Sequence, residues 1–243
     1  MSASALRALH VPGNPLVLPN AWDAASAALV ADAGFPAVAT SSSALARSLG
    51  YADGEQAPAT EMFAAAARIV RAVSVPVTVD AEAGYGLAAG ELVAALASTG
   101  AVGCNIEDTD HTTKTLRRAD EQARRIAAIR AAAGGELVIN ARIDSFLGAA
   151  DEQAALADAI ERAQAYLAAG ADCVFPIRLR SATLAATFVR AVRPAAVNFT
   201  ALSDGIDIAT AGQLGAARVS LGGGLFAAQQ QWLSARLAEI AAG

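Results

Sequence analysis

The stretch "VTVDAEAGYG", Val77 to Gly86, sets Asp80 and Glu82 at the end of an apolar run and follows them with Gly-Tyr-Gly. A buried strand stabilises neither charge, so the pair is expected to serve chemistry. Other apolar runs end in the same way. "TSSSALARSLGYADG" carries Ser41, Ser42, Ser43 and Asp53, "EDTDH" begins at Glu107, "NARID" contains Arg142, and "NFT" contains Asn198 and Thr200. Brought together, Asp53, Asp80, Glu82 and Glu107 would raise one another's pKa, and a hard divalent cation removes that conflict. Magnesium suits an oxygen-only set, because it keeps several waters and takes one or two carboxylates directly; manganese is the alternative. Histidine is missing from the set, which argues against zinc. The competing reading has Asp80 and Glu82 capping the next helix or pairing with arginine.

Arg142 is the natural anion anchor, since a planar guanidinium grips a carboxylate with two parallel hydrogen bonds. A salt bridge to Asp144 or Glu107 is compatible with that use. The Ser41 to Ser43 turn offers N–H and hydroxyl donors to the same ligand. Gly84 and Gly86 around Tyr85 imply a backbone that bends sharply beside the carboxylates.

These residues need a scaffold that brings the ends of separate runs together. Strands are predicted at Leu16-Leu18, Ala37-Thr40, Val75-Val79, Val102-Ile106, Leu137-Asn140, Cys173-Pro176, Ala195-Phe199 and Arg218-Leu221. Amphipathic segments lie between them. In "DEQAALADAIERAQAYLAAG", Leu156, Ile160, Ala163 and Leu167 share one helical face and Gly170 supplies a stop. About eight βα units in 243 residues, with no linker, predict a single-domain (β/α)8 barrel over residues 1–243, whose chemistry gathers at the strand C-terminal ends. An open doubly wound sheet is the rival, and no GxGxxG turn supports it.

Composition narrows the class. No apolar run approaches the roughly 18 residues of a spanning helix, and the N-terminus lacks a signal-peptide pattern, so a soluble cytoplasmic protein is expected. The net charge of -5 comes without a basic run, which disfavours nucleic acid. Cys104 and Cys173 sit in apolar stretches and read as structural thiols rather than a disulfide or a nucleophile.

From about Pro19 to Gly222 the strand-end segments resemble the isocitrate lyase and phosphoenolpyruvate mutase superfamily. "PNAWDAASA" is similar to its opening, "TSSSALARSLGYADG" to its substrate loop with an acidic residue at Asp53, and "DAEAGYG" to its Asp-x-Asp-x-Gly-Tyr-Gly metal motif. "AVGCNIED", "NARID", "NFT" and "LGAARVSLG" resemble later strands of the same barrel. The resemblance implies a Mg²⁺ enzyme that makes or breaks a carbon-carbon or carbon-phosphorus bond of a small 2-oxo or 2-hydroxy carboxylate through a metal-bound enolate. It further implies Asp80 as direct ligand, with Asp53, Glu82 and Glu107 acting mainly through water. Arg142 and the Ser41 to Ser43 loop would hold the substrate, with Asp53, Tyr85, Asn198 and Thr200 completing its contacts. A homo-oligomer, dimer or tetramer, with exchanged C-terminal helices is implied as well.

The chain departs from the family pattern at three places. Glu82 and Ala83 replace Asp and Thr in the metal motif. The loop after Glu107 reads "DTDHTTKTLRR" instead of Lys-Lys-Cys-Gly-His and has no cysteine, leaving His111 and Lys114 as its proton-moving groups. Ile177 stands where tricarboxylate lyases commonly have Glu, which points to a smaller acid. The expected activity is therefore metal-dependent cleavage of a small 2-oxo acid. The alternatives are a barrel that binds such an acid without turnover, and a convergent metal-dependent aldolase.

Overall fold

Pro19 offers no ladder donor, and the first strand is split around it into β1 (Leu16–Leu18) and β2 (Asn20–Ala21). In this computed structural model, which describes residues 2–201 and 204–243, the two halves serve opposite neighbours. β1 pairs with β11 (Arg218–Ser220) and β2 with β3 (Val38–Thr40), so one short stretch of chain closes the sheet on itself. Between β3 and β11 run β4 (Val77–Asp80), β5 (Gly103–Glu107), β8 (Val138–Ile143), β9 (Cys173–Pro176) and β10 (Ala196–Thr200), each neighbouring pair parallel. The result is the expected barrel, with β1 and β2 counting as one strand. A separate antiparallel hairpin, β6 (Thr109–Asp110) and β7 (Thr115–Leu116), stands on the loop after β5.

Helices α2 (Ala24–Asp32), α3 (Ser42–Ser48), α4 (Ala59–Arg71), α5 (Ala89–Thr99), α6 (Ala119–Ala133), α7 (Glu152–Ala168), α8 (Ala182–Val192), α9 (Ile208–Leu214) and α10 (Gly224–Ala241) alternate with the strands. Their starts follow local chemistry. Asp23 accepts from the Ser26 N–H at 2.7 Å while the Ser26 hydroxyl accepts from the Asp23 N–H at 3.1 Å, a reciprocal cap.

Most predicted strand ends shift by one or two residues, and one boundary and one helix face depart further. β8 runs to Ile143 rather than Asn140, because Arg142 and Ile143 continue the ladder opposite Phe175 and Pro176. On α7 the buried stripe is Leu156, Ala159, Arg162, Ala163 and Tyr166, with Ile160 and Leu167 only half-buried. Arg162 and Tyr166 turn inward because both bond the buried Asp108 carboxylate.

One short helix, α1 (Ala3–Ala8), closes the barrel floor. Its Leu6 packs with Leu16, Leu18, Ala37, Ala39 and Val138 as a core distinct from the larger layer between helices and strands. Gly103 makes this possible, since a Cβ there would lie 2.8 Å from Leu6 Cδ2 and 3.0 Å from Thr78 Oγ1. Cys104 and Cys173 are buried free thiols, and burial pushes both up to about 12. Among the described residues no helix is long and apolar enough to cross a membrane.

Candidate active site

Parallel strands bring their C-terminal residues to one rim, and β4 delivers Asp80 there. The Asp80 N–H donates to Thr40 Oγ1 at 2.8 Å, and its Oδ2 accepts from the Ser42 N–H at 3.1 Å and the Ser42 hydroxyl at 2.8 Å. Both Ser42 donors are thus engaged by Asp80. Ser41 caps α3 through the Ala44 N–H at 3.4 Å, and its hydroxyl lies 3.3 Å from that of Ser43.

Beyond Asp80 the backbone turns through positive φ at Glu82 (48°), Gly84 (92°), Tyr85 (55°) and Gly86 (69°). The φ of 92° at Gly84 favours glycine, and an added Cβ there would also sit 3.2 Å from Leu92 Cδ2 and displace the end of the Arg125 side chain. Glu82 is held on both oxygens: Oε1 accepts from the Tyr85 hydroxyl at 2.8 Å and Oε2 from the Glu55 N–H at 2.7 Å. The Glu55 carboxylate in turn accepts from the Tyr85 N–H at 2.5 Å. Burial raises the Glu82 pKa, the Tyr85 bond lowers it, and the charges of Asp80 and Asp53 add to the rise. Among the described residues the positive-φ residues other than glycine are Glu55, Glu82, Tyr85, Lys114 and Arg178; Glu82, Tyr85, Lys114 and Arg178 lie in loops that follow a strand, and Glu55 lies between α3 and α4. Such strain concentrates where a site is built.

β5 supplies Glu107, only 2% exposed. Its Oε1 lies 2.5 Å from His111 Nε2 and its Oε2 pairs with Arg142 Nη1. Arg142 also donates from Nε and Nη2 to the two oxygens of Asp144, at 2.6 and 3.1 Å. Behind this pair, Asp108 accepts from the Asp144 N–H at 2.9 Å, the Tyr166 hydroxyl at 2.7 Å and Arg162 Nη1 at 3.1 Å. Burial pushes Glu107 up to about 7 against the pull of Arg142 and His111, and pushes Asp108 up to about 6. The bond to Glu107 raises the His111 pKa.

The structure therefore brings Ser42, Asp80, Glu82, Tyr85, Glu107, His111 and Arg142 together. Asp53 lies on an exposed loop with no hydrogen bond or ion pair among the described residues, and Glu55 is the acidic residue braced against the rim. Lys114 is exposed at the hairpin turn, with its N–H bonded to Asp110 O at 2.7 Å. Asn198 is buried and faces Ser220, whose hydroxyl it meets at 3.0 Å, while Thr200 Oγ1 is buried without a partner. Sequence reasoning missed Glu55, Asn105, Asp108 and Arg218, while the ion pairs of Arg142 with Asp144 and Glu107 are the ones it named. Only Asn105 and Arg218 carried a signal, each being a polar letter within a strand.

Among the described residues, no three His, Cys, Asp or Glu side chains form a ready-made metal cage. Magnesium does not require one, since water fills most of its coordination sphere. Charge on the rim favours a cation: Asp80, Glu82, Glu107 and Asp144 gather there, and among the described residues Arg142 and His111 are the cations in ion-pair contact with this set. The donor set fits a hard cation, with Asp80 the carboxylate whose Oδ1 is least committed, its one contact being Asn105 Nδ2 at 3.5 Å.

Residues 6–241 match the family described as phosphoenolpyruvate phosphomutase. An uncharacterized protein of Mycobacterium tuberculosis H37Rv is 36% identical over 225 residues, covering 90% of this chain and 84% of that protein. The 2-methylisocitrate lyase of Escherichia coli K12 is 32% identical over 209 residues, covering 81% of this chain and 69% of the enzyme. Among solved structures, a Burkholderia cenocepacia J2315 protein provisionally assigned as a phosphonomutase superposes with a TM-score of 0.92 at 43% identity, covering 97% of this chain and 98% of that one.

Proposed function

The chain belongs to the phosphoenolpyruvate phosphomutase family, whose relatives here are lyases and mutases, and on that premise we propose that it cleaves a carbon-carbon or carbon-phosphorus bond in a small 2-oxo or 2-hydroxy carboxylate with a divalent metal. The observation that carries this reading is the gathering of Asp80, Glu82, Glu107 and Asp144 at the strand ends, where Arg142 is the guanidinium in ion-pair contact with them. Asp80 would hold the ion, with Glu82 and Glu107 bonding its waters. Magnesium, when bound, supplies Lewis acidity to a 2-oxo group and offsets charge that develops there.

The chain's own residues do the rest. Arg142 has five N–H groups, of which the carboxylates of Glu107 and Asp144 take three, leaving two to donate to a substrate carboxylate. Its fork is fixed in place by Asp144, so little order is lost on binding. The His111 imidazole holds or releases a proton at Nε2, and Glu107 fixes that nitrogen. This makes His111 the acid or base in a loop without cysteine, with Lys114 the second candidate. The hairpin that carries His111 excludes water once a ligand is seated.

α10 buries only Phe226 and exposes Trp232, Leu237 and Ile240 by 67%, 55% and 63%. An apolar groove lined by Trp22, Leu29, Val30, Phe35 and Leu225 lies on the same protomer. Exposed apolar surface of this kind suits a homo-oligomer.

The test is incubation of the purified protein with 2-methylisocitrate, 2,3-dimethylmalate, oxaloacetate and phosphonopyruvate, with and without Mg²⁺ or Mn²⁺, following product by NMR. Metal-dependent product that disappears in Asp80→Asn supports the reading. Binding of an acid without product from any of them favours a non-catalytic binder, which the engagement of Ser42 and Tyr85 by carboxylates would suit.

A further inference from the structure

Arg218 is fully buried inside the barrel, and no carboxylate lies within ion-pair distance of it among the described residues. Burying an unpaired guanidinium is costly, so its retention calls for a reason. Its Nε donates to Ser220 Oγ at 3.4 Å, its Nη2 donates to Asn105 Oδ1 at 3.1 Å, and its Nη1 is buried without a partner. Burial lowers its pKa to about 10, which leaves it charged at neutral pH; Asp80 is the one carboxylate whose field reaches it appreciably.

A guanidinium can only donate, so Asn105 must turn its oxygen toward Arg218. Asn140 Nδ2 donates to that same oxygen at 2.9 Å. The Asn105 amide is thereby locked with its Nδ2 toward the rim, 3.5 Å from Asp80 Oδ1. Without the arginine, only Asn140, whose own Oδ1 is buried without a partner and which can therefore turn with it, and the long 3.5 Å contact to Asp80 are left to orient the amide. We propose that Arg218 is a positioning residue that acts through Asn105 to hold Asp80 in the orientation the site requires. It touches neither substrate nor metal. The geometry stands independently of the proposed function, and only the metal readout below rests on that reading.

Crystal structures of the wild type, Arg218→Met and Asn105→Ser at about 1.2 Å, where amide orientation is best assigned, test the geometry without metal or substrate. In Arg218→Met the Asn105 amide is expected to turn and Asp80 to leave its wild-type rotamer, with the barrel unchanged and Tm equal or higher; Asn105→Ser is expected to release Asp80 in the same way. Asp80 unmoved in both variants overturns the proposal, as does a barrel that fails to fold without Arg218 while Asn105→Ser leaves Asp80 in place. Mn²⁺ affinity, followed by EPR, adds a signed readout. Removing a cation near a cation site would tighten Mn²⁺ by charge alone, whereas loss of positioning weakens it about tenfold. Arg218→Lys keeps the charge but cannot place two donors on Ser220 and Asn105, so it is expected to weaken Mn²⁺ as Met does. Tighter binding in Arg218→Met, or wild-type binding in Arg218→Lys, overturns the proposal. A wild type that binds no Mn²⁺ refutes the metal reading instead and leaves the crystallographic comparison to decide.

Discussion

His111 Nε2 lies 2.5 Å from Glu107 Oε1 and 3.9 Å from Glu82 Oε2, so one imidazole on the β6–β7 hairpin reaches back between two buried carboxylates. Close approach beside Gly54, where an added Cβ would sit 3.3 Å from His111 Nδ1, shows how tightly the loops after β3 and β5 meet over the rim.

Of the two proton-moving groups on that loop, His111 and Lys114, His111 is the one in contact with the rim. His111→Ala is expected to lower turnover about 100-fold while leaving ligand affinity within about threefold, the split expected of a lost acid or base. Steady-state kinetics on whichever of the four acids is turned over, paired with calorimetric binding, checks it. A large loss of binding with turnover intact would assign the imidazole to substrate contact.

Asp108 is fully buried and accepts from Tyr166, Arg162 and the Asp144 N–H, which makes it the brace behind Arg142. Asp108→Ala strands the Arg162 guanidinium, so a loss of about 3 kcal/mol in urea unfolding is expected. Arg162 keeps its bond to Asp158 at 2.8 Å, which sets a ceiling on that loss.

Gly103→Ala drives a methyl to within 2.8 Å of Leu6 Cδ2 on the floor helix. A cost of about 1–3 kcal/mol is expected from overpacking. Shortening the opposing side chain relieves the clash, so the Leu6→Ala, Gly103→Ala pair is expected to be less destabilised than the two single losses added together.

His10 donates from Nδ1 to Leu6 O at 2.9 Å, and burial lowers its pKa from 6.5 to about 4. The unfolded chain binds this proton more readily than the folded one, so the contribution is present above pH 6.5 and is lost as pH falls toward 4. Its full size is on the order of 3 kcal/mol. Urea unfolding across that window is expected to show a falling midpoint, and His10→Gln is expected to flatten the slope.

The alternation of strands and helices was legible in the sequence because it is local: apolar runs, helical spacing and stop glycines act over a few residues. Strand ends were legible for the same reason, and with them Asp80, Glu82, Glu107 and Arg142 as residues bound for one rim. What each of those groups touches was decided by tertiary structure. Ser42 meets an aspartate 38 residues away, and Arg218 reaches an asparagine 113 residues away, separations over which no sequence pattern carries geometry. Glu55 rather than Asp53 braces the rim because left-handed backbone at Glu55, Glu82 and Tyr85 turns two loops toward each other. A buried arginine reads in the sequence as one more charged letter, and only barrel closure, which encloses it beneath Asp80, gives its single amide contact a consequence.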